Sequence, residues 1–345
     1  MEQLSAANLN GRTPLNDLLY AMQQRNLVYN GDFRYFSNQT ADGSVITYNT
    51  PDGWVYDDQG TDGYITFDPQ NNCCVIAKSE GYDAMTFSQA LHEFPRWKDV
   101  LIGRTVSAKV YMDIVTNNPV TVSLSDGINT DSITVSVGRP VVMDVSLTID
   151  QLASGVYVTV TCSMPFTTMK ISQVFANVGQ CTIEGLPCMV QGVIGERRQY
   201  VATETAPAEE LSLCEAPVEL GDGYTRLNSV LSGRFGTGTN GGSLLPDMRG
   251  YFSRSWNNGA TIDPDAGTRT ALGGTITGDN VGTVEEDAFA QHDHQLSYSP
   301  NQLFTQGDAV SATTINTTTT SDTGETGGNE TRPKNISELF TIKWA

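Results

Sequence analysis

Thr105-Val-Ser-Ala-Lys-Val-Tyr-Met112 alternates apolar and polar residues along its whole length. In an extended chain, Val106, Ala108, Val110 and Met112 share one side, and Thr105, Ser107, Lys109 and Tyr111 share the other. The same period of two returns in Val120, Val122 and Leu124, in Ile133, Val135 and Val137, and in Val156, Val158 and Val160. Turn signals separate the runs: Asn117-Asn118-Pro119, Asp126-Gly127, Gly138-Arg139-Pro140 and Ser154-Gly155. Short strands at this spacing predict two packed antiparallel sheets, a β-sandwich over residues 27–200.

Composition agrees with that reading. Of 345 residues, 39% are hydrophobic and only 17% charged, with 33 glycines. This is the profile of a mainly β, turn-rich chain of two or three domains. A net charge of −19 argues against a nucleic-acid partner and against electrostatic anchoring on anionic lipid. No apolar run approaches the roughly 20 residues of a membrane span, so no membrane insertion is expected. The start, M-E-Q-L-S-A-A-N-L-N, has no basic or apolar stretch, so no signal peptide is expected. The six cysteines form no C-x-x-C pair and are expected as free thiols in a protein folded in the cytoplasm.

Outside the sandwich, residues 13–25 predict one short helix. Thr13 suits the cap, Pro14 the first turn, and Leu15, Leu18, Leu19 and Met22 one apolar stripe. So short a helix needs a partner, so residues 1–26 are expected to be an attachment segment or to pack on the sandwich. A composition shift marks a linker at 201–219. From Gly221 onward Gly, Thr and Asn dominate, and periodicity is poor in 313–320 and 323–328. A domain at 220–345 with so little apolar material is expected to gain burial from neighbouring copies.

Three stretches in order carry a resemblance. L-P-D-M-R-G-Y-F-S-R (Leu245–Arg254), E-D-A-F-A-Q-H-D-H (Glu286–His294) and G-G-N-E-T-R-P-K-N-I (Gly327–Ile336) together resemble the phage tail collar domain, found at the tips of tail fibres. N-L-V-Y-N-G-D-F (Asn26–Phe33), S-Q-A-L (Ser88–Leu91) and L-I-G-R-T-V-S-A-K-V-Y (Leu101–Tyr111) resemble the jelly-roll, carbohydrate-binding-like modules of such fibres. A-P-A-E-E-L-S-L-C (Ala206–Cys214) resembles the stretch that follows them. The resemblance implies an N-terminal helix, an antiparallel jelly-roll β-sandwich and an irregular, intertwined trimeric collar at 220–345. It implies a tail fibre or adhesin subunit of a virion that binds host surface glycan as a homotrimer. Other tail or baseplate proteins would join at the N-terminus. A structural tail component without host contact is the alternative, and a glycan-degrading tail enzyme a second.

Particular residues sharpen these expectations. His292 and His294, two apart, aim at one side of an extended strand, but two ligands do not close a site. In the collar domains that this motif resembles, three such pairs grip a metal on the trimer axis. By ligand softness it is a divalent transition metal, iron or zinc. Gly236-Thr-Gly-Thr-Asn-Gly241 spells G-x-G-x-x-G but lacks the strand, helix and acidic residue of a dinucleotide site. Asp247 and Arg249 are expected to pair within or across chains. Leu339–Trp344 alternates like a half-buried edge or inter-chain strand, following the charges of Arg332-Pro333-Lys334-Asn335.

Tyr48, Trp54, Tyr56 and Tyr64 cluster in a Gly- and Asp-rich context. Exposed aromatic faces match the apolar face of a pyranose, so these four are candidates for receptor binding, with Trp256 and Asn257 at the tip. The alternative is that alternate aromatics here are core. Catalysis is not expected. There are 3 histidines and no Ser-His-Asp or Cys-His context. Acidic pairs among Asp263, Asp265, Glu285, Glu286 and Asp287 arise by chance in so acidic a chain. No long repeat suggests the β-helix of a depolymerase.

Overall fold

The computed structural model describes residues 24–38, 40–42, 45–47, 49–59, 63–287 and 335–345. Most of the expected N-terminal helix falls outside these residues, and its last two positions, Gln24 and Arg25, are not helical. Tyr48, His292 and His294 also lie outside the described residues. Two compact units are distinguished, Met1–Thr283 with Glu338–Ala345, and Val284–Ser337. The elements and clefts described below belong to the first.

The alternating runs form strands of a jelly-roll-type sandwich. A small hairpin of β1 (Thr40–Asp42) and β2 (Val45–Thr47) precedes it. One five-stranded sheet has the order β10 (Pro140–Thr148), β7 (Thr105–Ile114), β12 (Thr167–Val178), β5 (Cys73–Lys78), β4 (Tyr64–Asp68). The other runs β3 (Val55–Asp57), β6 (Met85–Ala90), β11 (Tyr157–Cys162), β8 (Val120–Ser125), β9 (Thr130–Val135). Neighbours within both sheets are antiparallel. Strands β5 to β8 alternate between the sheets, as do β10 to β12, so these connections cross from one layer to the other, while β4–β5 and β8–β9 pair as neighbours within one sheet.

Facing follows the sequence in most strands. Val106, Ala108, Val110, Met112, Val120, Val122, Leu124, Val156, Val158 and Val160 are all buried in one core. The run at Ile133 departs from it. Ile133 is exposed and Val135 only half-buried, because β9 is an edge strand with β8 on one side. Cys73 and Cys74 sit in β5, both buried, and among the described residues all cysteines are free.

The opening segment is part of this core. Leu27, Val28, Tyr29 and Phe33 are buried. Gln89 explains why Asn26–Phe33 and Ser88–Leu91 belong together. Its amide accepts from the Tyr29 N–H at 2.7 Å and donates to the Tyr29 carbonyl at 2.8 Å, satisfying a buried backbone that has no strand partner there.

A seven-residue helix, Thr225–Leu231, docks on the same sandwich. Glu93 accepts from the backbone N–H groups of Thr225 and Arg226 at 2.6 and 2.9 Å, meeting donors the helix start leaves free. Arg226 is fully buried and its guanidinium donates to the carbonyls of Leu27, Ala90 and Glu93. A second apolar cluster joins Tyr29, Leu213, Leu220, Leu227, Leu231, Leu245 and Ile342. Up to Leu245, then, the Gly- and Thr-rich region finds burial within its own chain. Beyond it Phe252, Trp256, Ile262 and Val281 stay exposed.

The final strand, Leu339–Lys343, corrects an expectation. It is neither an edge nor half-buried. It lies centrally between β13 (Arg197–Tyr200) and β14 (Glu210–Ser212), antiparallel to both. Leu339, Thr341, Ile342 and Lys343 are all buried, on both sides of the strand. The polar ones are met by carboxylates: Thr341 donates to Glu210 at 2.5 Å and Lys343 to Glu209 at 3.1 Å.

Candidate glycan-binding cleft

The alternation that buries Val110 and Met112 turns Lys109, Tyr111 and Asp113 outward from β7. On the neighbouring β12, the register slips between Ile171 and Gln173, leaving Ser172 unpaired in a bulge. A bulge bends and twists its strand, which opens space beside Tyr111. The result is a half-open cleft of about 390 Å³ on the outer face of the first sheet. Asn71, Tyr111, Asp113, Val142, Lys170 and Ser172 line it.

Tyr111 is held in place from several sides. Its hydroxyl donates to Glu184 at 2.5 Å, and Lys109 donates to the same carboxylate oxygen at 2.9 Å. Phe175 meets its ring edge-on, with centroids 6.3 Å apart. The Ser172 hydroxyl donates to the Tyr111 carbonyl at 3.3 Å. The hydrogen bond from Tyr111, and then that from Lys109, holds the Glu184 carboxyl below the usual carboxylate range. The same bond to Glu184 raises the Tyr111 phenol, which keeps it a donor. Lys170 pairs with Asp68 across the sheet at 3.9 Å. An anchored aromatic ring, two carboxamide or hydroxyl groups and one charge of each sign therefore face a single cleft. Such a set binds a flat apolar face flanked by hydroxyls.

The aromatic group picked out in the sequence does not form one site. Trp54 is 1% exposed, stacked on Phe87 at 4.4 Å and 7°, and its indole N–H donates to the Asn30 carbonyl. Its face is core and no platform. Tyr56 is partly buried against the same core, and burial, with Asp58 beside its hydroxyl, raises its pKa. Among the described members of the group Tyr64 alone is open, at 54% exposure on β4. Ile65 and Phe67 pack inward, so Tyr64 shares the outer face with Asp68, about 13 Å along the strand from it. Trp256, 53% exposed, and the half-buried Asn257 line a separate small cleft in the loop region 254–283.

The Gly-rich loop has a physical occupant. Glu219 accepts from the backbone N–H groups of Asn240 and Gly242 at 2.8 and 3.0 Å. Gly238 packs so close to that carboxylate that any side chain there would collide with it. The loop is thus a backbone nest filled by an acidic side chain of its own chain. Asp247 and Arg249 do pair, within the chain and through two guanidinium nitrogens, at 2.9 and 2.6 Å. Among the described residues, no cluster of three or more His, Cys, Asp or Glu is placed to hold a metal ion.

No family model matches the chain. It is 29% identical over 164 residues to Protein RhiB of Rhizobium leguminosarum bv. viciae, covering 46% of this chain and 74% of that protein. Solved structures similar to this chain include carbohydrate-binding modules and a phage protein. TmCBM61 in complex with β-1,4-galactotriose is 14% identical, with a TM-score of 0.31, over 44% of this chain and 97% of that one. The CBM22-1 xylan-binding domain from Paenibacillus barcinonensis Xyn10C is 11% identical, with a TM-score of 0.29, over 46% and 95%. The enzymatically active domain of bacteriophage CBA120 tailspike protein 4 is 15% identical, with a TM-score of 0.31, over 45% and 21%.

The cleft left only a faint mark in the sequence. Tyr111 is read correctly as outward-facing, but so are Thr105 and Lys109. What singles it out is the bulge at Ser172 and the carboxylate of Glu184, 73 positions away.

Proposed function

We propose that this chain binds glycan without chemical turnover, through the Tyr111 cleft. The observation that carries the reading is a pinned aromatic ring in an outward-facing cleft of about 390 Å³, within the size range of ligand sites. One pyranose stacks on Tyr111. Asp113, Asn71 and Ser172 accept or donate to its hydroxyls, and Lys170 closes the polar side. With Tyr64 on the same face, a glycan chain has a second ring to lie against. The reading extends to a viral adhesin or tail-fibre subunit, folded in the host cytoplasm and working as a homotrimer. The three collar-like sequence stretches and the His292/His294 pair support that extension, with iron or zinc on the axis and host glycan as partner.

The test is titration of neutral oligosaccharides into the full chain, followed by calorimetry. Tyr111→Ala is expected to abolish binding, Tyr64→Ala to weaken it less, and the unfolding midpoint of both to stay near the parent's. Undiminished glycan binding by Tyr111→Ala would sink the assignment. Release of reducing ends would replace it with the enzyme reading.

A further inference from the structure

The loop region after Leu245 holds a second feature that the cleft on the sheet does not explain. Trp54 is core, and Trp97 and Trp344 pack against it. Among the described residues Trp256 is the tryptophan turned to solvent. Yet it is not loose. Its indole N–H donates to the Asp279 carbonyl at 3.1 Å, so the polar edge of the ring is tied down while its surface remains open. The loop under it is braced from within. Asp279 accepts from the Gly259 N–H at 2.6 Å, and Asn257 donates to the Ala260 carbonyl and accepts from the Asp263 N–H. Asp263, buried, joins Arg254 at 3.2 Å to Arg269 at 3.3 Å.

These groups wall a cleft of about 120 Å³. That is about a third of the volume of the sheet cleft. A tryptophan waiting for a second copy of the chain would stand among apolar neighbours. Here one apolar side chain, Val281, stands beside the indole, and the other walls include Arg254, Asn257, Asp279 and Asn280, a set of donors and acceptors suited to hydroxyl groups.

Resting on the glycan reading above, we propose that Trp256 and this cleft form a second sugar site, taking one terminal pyranose ring. The ring stacks on the indole, and Arg254 and Asn280 bind its hydroxyls. The Tyr111 cleft would grip the interior of a glycan chain and the Trp256 cleft its end. Two such sites on one polymer raise avidity without new contacts at either.

The test labels the full chain with 5-fluorotryptophan and assigns the Trp256 resonance by its loss in Trp256→Phe. Glucose, galactose and N-acetylglucosamine are then titrated as free monosaccharides at millimolar concentration. The expected result is a saturable shift of the Trp256 resonance with at least one sugar, unchanged in Tyr111→Ala and weakened several-fold in Asn280→Ala. Silence of that resonance towards all three sugars, while oligosaccharide binding persists and depends on Tyr111, overturns the second site and leaves the first. So does a response that vanishes in Tyr111→Ala. A resonance insensitive to exchange of H2O for D2O shows an indole buried between copies, which also overturns it. If neither sugars nor oligosaccharides bind anywhere, both readings fall together.

Discussion

Trp54 and Tyr64 occupy similar Gly- and Asp-rich contexts and meet opposite environments. Trp54 leads into β3 and Tyr64 opens β4, at edges of different sheets, and nothing local says which face of a strand will be covered. Arg226 was equally illegible: its burial depends on carbonyls at Leu27 and Ala90, more than a hundred positions away. Where a side chain's partners are local, the sequence is a better guide, as at Asp247 and Arg249. The Tyr111 site combines both cases. Its outward facing is local, while Glu184 is distant, and that carboxylate makes a prediction. Its pKa in the folded chain is lowered by the bonds from Tyr111 and Lys109. A lowered carboxylate keeps its hold above the ordinary value and loses it as pH falls through the lowered one. Oligosaccharide affinity is therefore expected to be level from neutral pH down to about 4.3, the ordinary glutamate value, and to drop below it. Glu184→Gln keeps an acceptor for Tyr111 but cannot titrate, so the step at low pH is expected to shrink. A step of equal size in that variant, with circular dichroism showing the chain still folded, would mean Glu184 is not the cause.

At the scale of elements, alternation proved a sound guide wherever a strand had neighbours on both sides and one face on the core. β7, β8 and β11 meet that condition, and their expected core residues are buried. β9 fails it at an edge. The final strand fails it in the opposite sense, since β13 and β14 flank it and both of its faces are covered. There Thr341 and Lys343 break the simple rule that polar residues face water, because Glu209 and Glu210 supply partners. The consequence is measurable. Removing residues 339–345 takes out Leu339 and Ile342, worth about 1.5–3 kcal/mol each for full burial. It also unpairs the strands β13 and β14 and strips Trp344 and Ala345 from the sandwich core. The truncated chain is expected to unfold several kcal/mol more easily in urea, or to aggregate through its two opened strand edges. An unchanged midpoint would show that the central strand contributes little and that the third sheet is ornamental to stability.

At the scale of the whole molecule, charge and histidine spacing set the terms on which the proposed trimer would assemble. Each chain carries −19, so three copies side by side repel one another strongly unless apolar or metal contacts offset it. Exposed Phe252, Trp256, Ile262 and Val281 show that burial within the chain is incomplete after Leu245. Trp256, with Val281 beside it, is assigned above to a sugar, which would leave Phe252 and Ile262 for contact between copies in the proposed trimer. His292 and His294 belong to the collar-like stretch, and in a parallel trimer one extended strand per copy would bring three pairs to the axis. Four consequences follow from that arrangement. Added salt screens the like charges, so trimer stability is expected to rise with ionic strength. Metal analysis is expected to find one iron or zinc ion per three chains. Neutral imidazole is the ligand form, so occupancy is expected to fall below about pH 6. Replacing both histidines by alanine is expected to remove the ion and lower the trimer's melting temperature, with the Tyr111 cleft still binding oligosaccharide. Native mass spectrometry of parent and variant, with metal content measured on the same samples, decides the matter. A folded monomer at micromolar concentration refutes the trimer. One ion per chain, or a metal-free trimer indifferent to the double substitution, refutes the axial site while leaving glycan binding on the sandwich untouched.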